Sequence, residues 1–151
     1  MDHLVTRGVQ CVTVLDISGA ALALARARLG SGQARVTWIE ADVTDEWPVP
    51  AVDIWHDRAV FHFLIGSEDR SRYVAHLRQA VKPHGTVIIA AFALDGPERC
   101  SGLPVQRYSG ETLGAELGVE FELVETVSEA HRTPLGAVQS FCYSRFSRVG
   151  P

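Results

Sequence analysis

His56, Asp57 and His62 form the densest group of acid–base side chains in this chain of 151 residues. A histidine exchanges its proton near neutral pH and a neighbouring carboxylate can orient the ring, so the cluster suits a general base beside a nucleophile. The same three side chains are weak candidates for a metal set, which would activate water to hydrolyse a small ester. His62 lies between Phe61 and Phe63 on an apolar run, where a histidine satisfied within the core is the competing reading, and Arg58 is expected to neutralise Asp57 or Asp53. A second set is acidic. Asp16 closes the apolar run Val12-Thr13-Val14-Leu15, and Asp42 follows Val36-Thr37-Trp38-Ile39-Glu40. A strand that delivers a carboxylate to its C-terminal edge, followed at once by a helix, is how nucleotide-binding α/β folds hold a ribose, because two acceptor oxygens match two hydroxyls. The plainer use of Asp42 is a turn aspartate bonding its own backbone.

Strands and helices must position these groups. Short β-branched runs alternate with amphipathic segments, a pattern that predicts a mostly parallel sheet with crossover helices. The spacing predicts strands at Val12–Ile17, Val36–Glu40, Val52–His56 and Thr86–Phe92, the last without alternation and so inside the sheet. Ser18 is placed to cap a helix that Gly30 ends, and Tyr73, Val74, Leu77 and Val81 stripe a second helix from about Glu68. Ala59 to Leu64 reads as a short helical segment, and Lys82-Pro83-His84-Gly85 as a break. After Asp95 comes a long loop rich in Gly, Pro, Cys and Ser. With Phe92 before it, this loop carries Arg99, Arg107 and Tyr108, which suit an acidic or aromatic substrate. Ser109 reads as the cap of a further helix, and two closing strands, Phe121–Ser128 and Ala137–Phe146, flank a turn with Pro134 and Gly136 and are expected to pair antiparallel.

Composition narrows the function classes. With 46% apolar residues and a net charge of −4, the chain is expected to bury one core and offers no broad attraction for nucleic acid. Its apolar runs fall far short of the ~20 residues that span a bilayer, and the first residues lack the pattern of a secretory signal, so no membrane role and a cytoplasmic location are expected. Cys11, Cys100 and Cys142 contain no CxxC pair and read as reduced thiols.

Five stretches, in this order, resemble the class I S-adenosylmethionine-dependent methyltransferases. They are residues 12–18, Ile-Glu-Ala-Asp-Val at 39–43, Val-Asp-Ile-Trp-His-Asp-Arg-Ala-Val-Phe-His-Phe-Leu at 52–64, residues 77–90, and the two closing strands. The resemblance implies a Rossmann-like, mostly parallel sheet with a C-terminal antiparallel hairpin, and S-adenosylmethionine as cofactor. It implies that Asp16 accepts hydrogen bonds from the ribose, Ile17 packs on the adenine, Asp42 accepts the adenine amino group and Val43 covers the ring. His56 and Asp57 would line the methyl-transfer site, and Phe92 with the 95–108 loop would shape the acceptor pocket. The family's first strand and its glycine-rich turn would stand upstream of residue 1. The expectation is therefore one methyltransferase-like domain over 1–151, short of that strand, whose unpaired ladder edges a homodimer, possibly strand-swapped, would repair. The methyl acceptor, a small molecule or a protein, is not named by these residues. Two other readings stay open: a non-catalytic dimerising module on the same fold, and the metal-dependent hydrolase built on His56, Asp57 and His62.

Overall fold

The structure, a computed structural model, describes residues 2–133 and 136–150; Pro134, placed by the sequence in the last turn, lies outside them. Two compact units make up the chain, Met1–Pro48 and Val49–Pro151.

In the first unit a short helix, α1 (Asp2–Thr6), precedes β1 (Val12–Asp16), α2 (Gly19–Leu29), a 3-10 turn (Gly30–Arg35) and β2 (Val36–Glu40). The Ser18 hydroxyl accepts the Ala21 N–H and so caps α2, and Gly30, at φ 55°, ends it where a side chain would be strained. Strands β1 and β2 pair in parallel from Val12↔Val36 to Asp16↔Glu40, so both end in an acid at one edge. Val5, Val12 and Val36 form a small core under Val14, Leu29 and Trp38. Arg35 ties it together by donating to the Val5 carbonyl at 3.0 Å.

The second unit holds β3 (Val52–Arg58), a 3-10 turn (Phe61–Phe63), α3 (Ser67–Ala80), β4 (Val81–Phe92), a small hairpin of β5 (Arg99–Cys100) and β6 (Leu103–Pro104), α4 (Gly110–Leu117), β7 (Phe121–Arg132) and β8 (Val138–Arg148). The sheet order is β3-β4-β8-β7, with β3 and β4 parallel and the other pairs antiparallel. The closing hairpin is the one read from the sequence, and its strands run several residues further than expected. Helix α3 turns Tyr73, Val74, Leu77 and Ala80 inward, and α4 turns Leu113 and Leu117 inward. They cover the sheet face carrying Val87, Ile89, Ala91, Ser144 and Phe146, all buried. The opposite face is far more open, since Ile54 is 63% and Val127 51% exposed. Residues paired across a sheet share a face. Arg58, Ala90, Tyr143 and Val127 therefore make one row of that open face, and His56, Ile88, Arg145 and Glu125 make the next.

Two local departures matter. The Lys82–Gly85 break lies within β4 as an excursion, with His84 at φ 63°, and the β3–β4 register jumps from Val52↔Val81 to Ile54↔Thr86. The long loop is also partly ordered by its own hairpin. Ser101 at φ 49° and Gly102 at φ 81° are the two left-handed residues that a tight two-residue turn requires. Among the described residues, no helix is long and apolar enough to cross a membrane.

Candidate functional site

In the first unit the strand-end acids are held by their own turns. Asp16 Oδ1 accepts the Ser18 N–H at 2.8 Å, and Asp42 Oδ1 accepts both the N–H (2.8 Å) and the hydroxyl (2.7 Å) of Thr44. Both aspartates are thus turn residues in the sense of the plainer reading, yet in each the second oxygen is left without a partner among the described residues. Ile17 stands beside Asp16 at 68% exposure, whereas Val43 is buried. A third acid at this edge escaped the sequence reading. Glu40 pairs in register with Asp16, and a Cβ on Gly19 would lie 2.5 Å from its carboxylate. Like charges directly across a ladder repel, and the first turn of α2, where Gly19 sits, offers Glu40 unsatisfied N–H groups instead. The equal lengths of the two apolar runs were the signal for this pairing.

In the second unit the acid–base cluster separates. Asp57 is buried, and its carboxylate accepts the Val60 N–H (3.0 Å), the Phe61 N–H (3.1 Å) and the Tyr73 hydroxyl (2.8 Å). The Tyr73 oxygen in turn accepts the Trp55 indole N–H at 2.9 Å. Burial raises the Asp57 pKa to about 6, and the three hydrogen bonds keep it from rising further. Tyr73 is pushed well above its usual range by burial and by the adjacent carboxylate. His62 is completely buried among Phe63, Phe92 and Phe141, its Nδ1 accepting the Phe92 N–H at 3.3 Å. Desolvation lowers its pKa to about 4, so the ring is neutral and its proton sits on Nε2. This is a core histidine, as its apolar setting suggests, but only half satisfied, since its buried Nε2 has no hydrogen-bond partner among the described residues. His56 remains exposed, with a pKa lowered first by partial desolvation and further by the charge of Arg58. Among the described residues no group of three His, Cys, Asp or Glu side chains is placed to hold a metal.

Arg58 overturns its expectation. It pairs with neither aspartate, because Asp53 is taken by Lys82 at 2.9 Å and Asp57 by backbone and Tyr73. Its Nε instead donates to the Tyr143 hydroxyl at 2.8 Å, and its guanidinium lies 4.8 Å from the Phe141 ring centroid. Phe92, at the end of β4, and Tyr108, at the far end of the long loop, are both buried. Arg99 donates to the Gly102 carbonyl within its own hairpin, and Arg107 meets Glu98 at 3.3 Å and the Gly96 carbonyl at 3.2 Å. Leu94, Glu98, Val105, Gln106 and Arg107 line an open cleft of about 420 Å³ there.

These strand-end acids sit on a chain whose residues 1–85 match the sequence model of the family described as methyltransferase domain. The chain belongs to that family. A comparison with curated proteins returned no match. Solved methyltransferases agree in fold. The N-methyltransferase NodS of Bradyrhizobium japonicum WM9 superposes with a TM-score of 0.74 at 18% identity, over 93% of this chain and 74% of its own. The 1,6-didemethyltoxoflavin-N1-methyltransferase of Burkholderia thailandensis, solved with that compound and S-adenosylhomocysteine, gives 0.74 at 18% identity, over 98% and 65%. A methyltransferase of Methanosarcina mazei described as SAM-dependent gives 0.71 at 12% identity, over 99% and 86%. The chain thus spans about two thirds to six sevenths of these proteins, and its fold is the class I methyltransferase fold that the five sequence stretches resemble.

Proposed function

We propose that this methyltransferase-family chain moves a methyl group from S-adenosylmethionine to a nucleophile of an acceptor outside the chain. The observation that carries the reading is the pair of strand-end carboxylates, Asp16 and Asp42, each fixed through one oxygen and open at the other. That donor set fits adenosine: Asp16 would take the ribose hydroxyls and Asp42 the adenine amino group, while exposed Ile17 and buried Val43 offer apolar contact. When bound, the cofactor supplies an electrophilic sulfonium methyl group. The protein's own work is then chiefly positioning.

His56 is the residue to take the acceptor's proton, since it is exposed and its lowered pKa leaves the ring unprotonated near neutral pH, although as a weaker base than an ordinary imidazole. Asp57 fits a positioning role better than contact with substrate, because its oxygens hold the turn that follows β3. Phe92 and Tyr108 would support the acceptor loop from beneath, with Arg99 and Arg107 on its surface. We place the activity in the cytoplasm and in a homodimer; the homodimer is supported by the ladder edges of β1 and β3, which have no strand partner among the described residues.

Calorimetric titration with S-adenosylhomocysteine tests the cofactor reading. Saturable heat is expected, and Asp16→Ala should weaken it at least about ten-fold, the loss of one or two charge-assisted hydrogen bonds. No heat from the unaltered protein at millimolar ligand would refute it.

A further inference from the structure

Nine arginines occupy the described part of the second unit, and eight are spoken for within the chain. Six pair with a glutamate, Arg70 with Glu116 at 3.0 Å and Arg145 with Glu125 at 3.1 Å among them, and Arg99 and Arg132 donate to carbonyls. Arg58 is the exception. Its Nε–H is used by Tyr143 and its flat face by Phe141, yet its two Nη groups meet no carboxylate or carbonyl among the described residues. A guanidinium held this way has already lost its rotamer freedom, while the planar fork that matches an oxyanion in two parallel hydrogen bonds stays open.

The backbone beneath it is equally fixed. Arg58 pairs with Ala90 in the β3–β4 ladder, and the next N–H, of Ala59, donates to the Ala90 carbonyl at 2.9 Å. Ala59 sits at φ 64°, a left-handed conformation that a non-glycine residue adopts at a cost, and Asp57 clamps the two residues beyond it. The place is the C-terminal end of a parallel strand, the side on which open α/β sheets bind ligands. His56 lies two residues earlier on the same sheet face. Arg145 shares that face one row away, but Glu125 holds both its Nε and Nη2.

We propose that Arg58 is the oxyanion-recognising residue of the acceptor site, and that the methylated compound carries a carboxylate or a phosphate seated on the Arg58–Tyr143–Phe141 shelf. Assigning that anion to the acceptor rests on the methyl-transfer reading; the anion site itself does not.

The test titrates the whole chain with benzoate and with phenyl phosphate at constant ionic strength, followed by nuclear magnetic resonance shifts. Saturable binding is expected for at least one probe, and the tighter of the two names the anion. Arg58→Gln should weaken it at least about ten-fold, Arg58→Lys should weaken it several-fold because the fork is lost though the charge stays, and Arg145→Gln should leave it unchanged. Each variant is also titrated with S-adenosylhomocysteine, whose affinity Arg58→Gln should not alter. Failure of both probes to saturate on the unaltered protein, unchanged binding in Arg58→Gln, or a lysine variant as tight as arginine would overturn the proposal. Absence of S-adenosylhomocysteine binding, with the anion site intact, would instead defeat the methyl-transfer reading alone.

Discussion

Asp57 and His62 are buried titratable groups displaced in opposite directions, and their effects on stability should cancel over a stretch of acid pH. Asp57 has a folded pKa near 6, against an ordinary value of 3.8. The folded protein therefore binds more protons than the unfolded chain between those values. Its contribution is fully present below about pH 4 and is lost as pH rises through 6, which at about 1.4 kcal/mol per unit amounts to about 3 kcal/mol. His62 has a folded pKa near 4 against 6.5. Its contribution is present above 6.5 and is lost as pH falls through 4, again about 3 kcal/mol. Removing one group unmasks the other. Relative to the unaltered protein, Asp57→Asn should gain about 3 kcal/mol as pH rises from 4 to 6, whereas His62→Phe should gain a similar amount as pH falls over the same interval. Asp57→Asn also carries a constant penalty of about 1–3 kcal/mol for a hydrogen-bond acceptor it lacks, which offsets the curve without tilting it. Urea denaturation followed by circular dichroism at half-unit pH steps reads these differences as midpoint shifts of about 1 M or more. If the stability difference between either variant and the unaltered protein stays flat from pH 4 to 6, the burial argument is wrong.

Other outcomes follow from the same geometry. Tyr73→Phe removes the hydroxyl that serves both Trp55 and Asp57, so it should cost about 1–3 kcal/mol and extend the alkaline loss of stability above pH 6, measurable in the same urea series. Gly85→Ala would set a Cβ 2.7 Å from Val81 Cγ1 and 2.8 Å from the Lys82 carbonyl, and thermal melting should show a loss of roughly 1–3 kcal/mol. Sedimentation equilibrium should return a homodimer, and a monomer at all accessible concentrations would contradict that part of the functional reading.

Much of the scaffold was legible because its signals are local. Ser18 and Ser109 cap the helices they precede, Gly30 ends α2, and the β-branched runs become strands whose order carries the family resemblance. The strand-end acids were equally plain, since a carboxylate at the end of an apolar run can be read without knowing the sheet. What stayed hidden depends on distant partners. Nothing near Asp57 announces that Tyr73, sixteen residues on, will donate to it, or that Tyr143, 85 residues beyond Arg58, will claim the arginine and spare both aspartates the ion pair. The two aromatic residues that flank the loop differ in legibility: Phe92 ends an apolar strand whose lack of alternation already placed it inside the sheet, whereas Tyr108 sits in a polar stretch and gives no local sign that it is buried.

The excursion at Lys82–Gly85 has a consequence for how the fold tolerates change. Across it β3 advances two residues, from Val52 to Ile54, while β4 advances five, from Val81 to Thr86. The surplus is odd, so the inside–outside alternation of β4 inverts there. Because α3 runs into β4 without a connecting loop, this joint keeps the helix's 3.6-residue period from dictating which β4 side chains enter the core. It acts as a phase adjuster: odd changes in its length should be absorbed as a different excursion, while the same change inside Thr86–Phe92 would turn Val87, Ile89 and Ala91 out of the core.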